Sequence, residues 1–246
     1  MVFLTLSSAA HADITTGLIG WWKFDEGSGS TATDSSGNSN TGTEYNSPSY
    51  VSGKIGSYAL SFNGTSQYVD VPNSSSLQIT GNLTISFWIN NITSDANYNT
   101  VVSKGNVNEY EIGIDFRNGA CGANCLSLRA GSPVDTITNW GGFFTGYLNT
   151  WTFVAVVISG TNATAYLNGV SQGTISIQSR SSSTNDVFIG QRSPSSSGFY
   201  LPATLDDVRI YNRALASSDV TQLFGNGVQL HQFNHAHLTN FKTTFY

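Results

Sequence analysis

Charged side chains make up only 10% of this 246-residue chain. Asn, Ser, Thr and Gly take the surface positions instead, a composition suited to β-structure with many turns. No basic run occurs and the formal net charge is -5, so there is no electrostatic footprint for nucleic acid. Histidine is nearly missing: His11 lies near the start, and His231, His235 and His237 lie near the end. The long stretch between them therefore lacks the commonest general base, and with it a Ser-His-Asp arrangement. No G-x-S-x-G elbow is present, and the GSGS at Gly27 reads as a turn rather than a phosphate loop. The chain has just 2 cysteines, Cys121 and Cys125, with no histidine nearby, which argues against zinc. No apolar run reaches the roughly 18 residues that membrane insertion needs.

What is present supports a large core, since 39% of residues are hydrophobic. The opening MVFLTLSSAAHAD has an apolar stretch followed by small residues. Its Ala10-His11-Ala12 fits an A-x-A cleavage site, so residues 1–12 are expected to be a signal peptide remnant and the protein to be secreted or at the cell surface. In that setting Cys121 and Cys125, in RNGACGANC, are expected to form a small disulfide that pins a loop.

Hydrophobic alternation with a period of two dominates the chain. It predicts strands over residues 19–24, 58–63, 68–71, 83–90, 100–104, 110–116, 126–130, 151–159, 163–167, 170–177, 187–191 and 205–211. In LTISFWIN, Leu83, Ile85, Phe87 and Ile89 share one face. WTFVAVVIS is apolar on both parities, as in a strand buried on both sides. Asn168-Gly169 reads as a type I′ hairpin turn. One short C-terminal helix is expected in ALASSDVTQLF, capped by Ser217 or Ser218, with Val220, Leu223 and Phe224 on one face and its end at Gly225. Many short strands and one late helix give an all-β fold, a sandwich or barrel. The fold is expected to occupy residues 13–227, with 228–246 a poorly ordered tail or linker.

Several stretches together resemble the laminin G-like, concanavalin A-like jelly-roll family: GLIGWWKFDEGSGSTATDSSG, YALSFNGTSQYVDVP, LTISFWI, WTFVAVVISGTNATAYLNGV and LDDVRIYNRALASSDV. The resemblance implies a two-sheet antiparallel β-sandwich whose first and last strands lie side by side. It also implies an exported binding module. With those strands paired, Asp25 and Glu26 would approach Asp206 and Asp207. Asp206 shares the parity of Val208 and Ile210, which points it inward, and an inward carboxylate is costly unless paired or bound to a metal. A structural calcium ion held by Asp25, Asp34, Asn38 and Asp206 is therefore expected, calcium being a hard ion that takes several oxygens. Asp34 also has the simpler option of capping its own turn, and Lys23, Arg209 or Arg213 of pairing with the acids.

The fold also hosts glycosidases, which need two carboxylates in an open cleft. The nearest candidates are Glu109, Glu111 and Asp115, around YEIGID. Gly113 interrupts them, and a solvated strand face explains them, so no catalytic residue is assigned. Binding is the leading expectation, with a glycan or polysaccharide as partner. The stacking candidates are Trp140, Phe144 and Tyr147 in NWGGFFTGYLN, with Tyr98 and Tyr200 in other loops. Alternatives are an adhesion or scaffold module for a cell-surface protein and a diverged glycosidase or polysaccharide lyase.

Overall fold

The computed structural model describes residues 13–95, 97–105, 109–117, 122, 124–131, 137–192 and 198–228. Sixteen strands occur among them: β1 (Leu18–Trp22), β2 (Thr31–Ala32), β3 (Gly42–Tyr45), β4 (Ser49–Ser52), β5 (Tyr58–Ser61), β6 (Tyr68–Val71), β7 (Leu83–Asn90), β8 (Tyr98–Lys104), β9 (Tyr110–Asp115), β10 (Cys125–Arg129), β11 (Ile137–Trp140), β12 (Thr152–Ser159), β13 (Asn162–Leu167), β14 (Val170–Ser176), β15 (Val187–Ile189) and β16 (Thr204–Tyr211). One α-helix, α1, covers residues 217–228 among the described residues, beside a single 3-10 turn at Ser75–Leu77. All twelve expected strands are present. Four more appear: β2, β3 and β4 are short and polar, and β11 ends a segment with little alternation.

The strands form two antiparallel sheets. The first runs β14-β13-β12-β7-β16-β5-β4, with β1 also paired to β16; the second runs β11-β10-β9-β8-β15-β6-β3-β2. Alternate residues of both sheets meet in one core, which includes Ile85, Phe87, Val156, Ile112, Leu126 and Val69. This is the sandwich that the alternation implies.

The first sheet is buried on its outer face as well. There Trp88, Phe153, Val157 and Tyr211 pack with Leu215, Val220 and Leu223. The Trp88 ring lies 5.4 Å from Phe153 and 5.7 Å from Phe224. The two-sided apolar character of β12 is explained by this cover. α1 continues past Gly225, where an end was expected, to residue 228. A β-carbon on Gly227 would come within 2.6 Å of the Trp88 ring, so glycine lets the last turn lie against the indole. That contact offsets the roughly 1 kcal/mol that a helical glycine costs relative to alanine. The expected serine caps are also replaced. Ala216 takes the cap position: its carbonyl accepts from Val220 N–H at 3.1 Å, and its own N–H donates to Asp219 Oδ2 at 3.3 Å.

β16 organises the sheet. It pairs with β7 along one edge, and its other edge is divided: β5 takes Thr204 and Leu205, and β1 takes Val208 to Tyr211. The first and last strands are thus neighbours, with Trp22 opposite Val208. At the division the register slips between Asp206 and Arg209, and Asp207 adopts φ +53°. The extra residue of this bulge changes the parity. Asp206 stands opposite Trp88 on the outer face, not inward with Val208 and Ile210 as expected.

The signal segment (residues 1–12), Cys121, and the tail histidines His231, His235 and His237 lie outside the described residues. Cys125 is buried at the start of β10; its pairing with Cys121 stays an expectation.

Candidate functional site

The edges of the two sheets approach each other at β11 and β14. Trp140, the last residue of β11, donates its indole N–H to the Gly173 carbonyl of β14 at 3.1 Å. The chain then winds through tight turns over residues 141–149. Thr145 N–H donates to Gly142 O and Tyr147 N–H to Phe144 O, both at 3.0 Å. Phe144 N–H is tied to Asn124 O at 3.0 Å. This winding turns Phe143 and Phe144 into the core and leaves Tyr147 half-buried. Opposite stands the β13–β14 hairpin, whose turn has Asn168 at φ +50° and Gly169 at φ +79°, as the expected turn type requires.

Between them lies a cleft of about 690 Å³, lined among others by Asn139, Trp140, Tyr147, Asn168, Val170 and Gln172. This is within the usual range of small-ligand sites. No acidic, basic or histidine side chain contributes to its lining. Asn168 Oδ1 accepts from Phe153 N–H at 2.9 Å, and Asn139 Oδ1 accepts from the Ser127 hydroxyl. Each amide NH₂ is thereby turned away from those donors. Val170 is 64% exposed at the rim.

The aromatic expectations divide. Trp140 is only 6% exposed and Phe144 is fully buried. Both belong to the core, because a large apolar ring near a strand end contributes more by packing than by exposure; of the two, Trp140 also borders the cleft. Tyr98 is not in a loop: it begins β8 and is buried on the outer face of the second sheet. The guanidinium groups of Arg117, Arg129 and Arg192 lie 5.2, 5.7 and 5.3 Å from its ring. A β-carbon on Gly113 would sit 2.5 Å from that ring, so the glycine makes its berth. Tyr200 is half-buried, next to Phe199, and does not line the cleft. Tyr147 is the one of the five candidates that is both partly exposed and placed in it. Asn139, Asn168 and Gln172 were not singled out from sequence. Their signal was present only as a turn, because nothing in a linear pattern puts that hairpin beside the 141–149 segment.

The acids of β9, and Glu109 just before it, are not solvated, contrary to expectation. Glu111 is fully buried and accepts from Arg192 through both oxygens, at 2.8 Å each, and from Thr100 Oγ1 at 2.7 Å. Asp115 takes a two-pronged bond from Arg117, at 2.9 Å for each contact. Glu109 accepts from Ser183 N–H at 2.7 Å and lies 3.5 Å from the Lys104 ammonium. All three carboxylates are thus held by a basic side chain, Arg192, Arg117 or Lys104, rather than facing open solvent.

The four calcium candidates fall into two groups. Asp34 spends both oxygens on its surroundings. Trp21 and Ser36 N–H reach Oδ1 at 2.9 and 2.8 Å; the Ser36 hydroxyl and Asn40 N–H reach Oδ2 at 2.8 Å each. Asn38 donates to Leu18 O and Ser36 Oγ, both at 3.1 Å. These two shape the loop and fasten it to β1. Asp25 and Asp206 instead hold one turn, residues 53–58, from both ends. Asp25 Oδ1 accepts from Ser57 and Tyr58 N–H at 2.7 and 3.0 Å. Asp206 Oδ2 accepts from Lys54 and Ile55 N–H at 2.7 and 2.8 Å. The other oxygen of Asp206 is buried with no partner. Burial pushes the Asp206 carboxyl up to about 8, opposed by the Ile55 and Lys54 N–H groups and reinforced by repulsion from Asp207 and Asp25. An orphaned oxygen beside a second carboxylate is a fit for a hard cation. Among the described residues no group of three or more His, Cys, Asp or Glu converges on one point.

A search of curated proteins finds no match. Solved structures share the fold. The binding domain of Paraclostridial mosquitocidal protein 1 has a TM-score of 0.68 and 19% identity over 86% of this chain and 52% of that one. Domain 4 of AbnA, an extracellular arabinanase from Geobacillus stearothermophilus solved with arabinotriose, has a TM-score of 0.64 and 20% identity over 84% of this chain and 97% of that one. The binding domain of botulinum neurotoxin DC, solved with rat synaptotagmin II, has a TM-score of 0.65 and 17% identity over 87% of this chain and 52% of that one. The chain thus spans about half the length of the toxin domains it matches. The profile of the concanavalin A-like lectin/glucanases superfamily matches residues 63–221, and with a sandwich of the expected topology around that match, the chain belongs to this superfamily.

Proposed function

We propose that the protein is an exported, non-catalytic module that binds neutral glycans in the cleft between residues 141–149 and the β13–β14 hairpin. The observation that carries this reading is the lining: aromatic side chains and amides with no acidic, basic or histidine side chain. Sugar rings offer apolar faces and a ring of hydroxyls, which suit an aromatic wall flanked by amides. The paired state of Glu111 and Asp115 supports a non-catalytic role. So does the likeness to an arabinanase domain solved with arabinotriose, since nearly all of that chain is covered.

Calcium belongs to the same proposal as a structural ion. Asp25 and Asp206 would hold it, with further oxygens from backbone or water, because the side chains alone are too few. Its charge would relieve the repulsion between the two carboxylates and fix the 53–58 turn over the outer face of the first sheet. Chelator should lower the melting temperature and added calcium restore it, and Asp206→Ala should remove this response. An equal response in the variant would exclude Asp206 as a ligand.

The glycan reading is tested by screening neutral oligosaccharides and measuring the best by calorimetry. Tyr147→Ala and Gln172→Ala should each weaken binding at least tenfold without moving the melting temperature. Unchanged affinity in both variants would move the site elsewhere. A surface-protein ligand retained by both variants, with no glycan bound by the wild type, would favour the adhesion reading.

A further inference from the structure

A second polar surface lies on the outer face of the second sheet, far along the strand order from β11. On β3 and β6, Tyr45 and Tyr68 are direct cross-strand partners. Their rings are stacked, with centroids 4.8 Å apart and planes within 5°. Tyr45 is 41% exposed, one of the few large hydrophobic side chains left open to solvent. Cross-strand tyrosines do stabilise sheets, and that alone would explain the pair. Asp70 is what it leaves unexplained.

Asp70 lies two residues beyond Tyr68, on the same face, between Thr43 on β3 and Phe188 on β15. Its Oδ1 is buried with no hydrogen-bond partner. Among the described residues it forms no ion pair. Burial, and then the neighbouring Asp186, push its carboxyl up to about 6. The nearby Lys104 does not serve it: that ammonium donates to Asn73 Oδ1 at 2.9 Å and to the Ser183 and Asn185 carbonyls, and lies 3.5 Å from Glu109. Asp186 accepts the Asn73 N–H at 2.7 Å. The patch thus combines open aromatic rings with a carboxylate that repels its acidic neighbour and has no cation of its own.

We propose that Tyr45, Tyr68 and Asp70 form a second binding site, for the protonated or quaternary amine of an amino-sugar chain. The charge complementarity is direct. A cation lowers the repulsion between Asp70 and Asp186, and an ammonium group is drawn to the negative face of an aromatic ring. The neutral cleft has aromatic rings but no carboxylate in its lining, so the two sites should select different sugars.

The test uses two glucosamine hexamers, one N-acetylated and one N,N,N-trimethylated so that its charge does not change with pH. Calorimetry at pH 7.5 should show the trimethylated chain binding at least tenfold more tightly. Asp70→Asn should abolish that preference. Tyr45→Ala, an exposed substitution that leaves the core intact, should weaken trimethylated binding at least fivefold, whereas Tyr147→Ala should leave it unchanged. Equal affinity for the two hexamers, or a preference that survives Asp70→Asn, overturns the proposal. Loss of the preference in Tyr147→Ala but not in Tyr45→Ala would assign it to the cleft and overturn the second site while sparing the first.

Discussion

The outer faces of the two sheets are both buried across their central strands, by opposite means. On the first sheet Trp88, Phe153 and Tyr211 lie under α1 and are held by apolar contact. On the second, Glu111, Asp115, Arg192 and Tyr98 form a layer of ion pairs and rings over β8 and β9. Apolar burial tolerates imperfect fit, because the driving force depends mainly on area. Buried charge does not, because each group lost leaves its partner desolvated and unpaired. The first face can therefore be repacked, whereas the second must keep its partners matched.

The largest effect should come from the apolar face. Trp88→Ala removes the ring that Phe153, Phe224 and Gly227 pack against, and should cost about 3–5 kcal/mol in denaturant unfolding. A loss under about 1 kcal/mol would mean that α1 adds little to stability. The next test concerns the ionic face. Arg192→Met should cost about 3 kcal/mol by stranding Glu111, while Arg192→Met with Glu111→Leu should recover most of it. If the double variant is as unstable as the single one, the pair acts through packing and the contrast between the faces collapses.

The smallest effect is a pH slope. The Asp70 carboxyl is raised in the folded state from 3.8 to about 6. The folded protein therefore holds that proton more tightly than the unfolded chain, and stability falls as pH rises between these two values. Asp70→Asn should make the decline shallower over that interval in parallel thermal melts. Identical slopes would show that Asp70 is not raised.

The same contrast explains what could be read in advance. Two-sided burial of β12 was legible because apolar residues occupied both parities. The pairing of β1 with β16 was legible through the family resemblance. The fate of YEIGID was not, because alternating polar residues look alike whether they face water or a matched set of arginines. Arg192 lies 81 residues from Glu111, so no local pattern joins them. Asp206 misled for a different reason. A bulge adds one residue, and everything before it changes face. The candidate cleft was partly legible: much of Asn139 to Tyr147 of NWGGFFTGYLN contributes to its lining, but the most conspicuous aromatics of that stretch are the ones that went inward. Short edge strands such as β3 and β4 carry too few apolar residues to announce themselves.

The shared edge of β16 also sets the order of assembly. Until the final strand is made, β1 and β5 have no common partner, and β7 keeps one side unpaired. Closure spans nearly the whole chain, so its loop entropy must be met late and folding should be slow. A nascent or truncated chain ending before residue 204 would expose the unprotected flank of β7, inviting strand exchange with its neighbours.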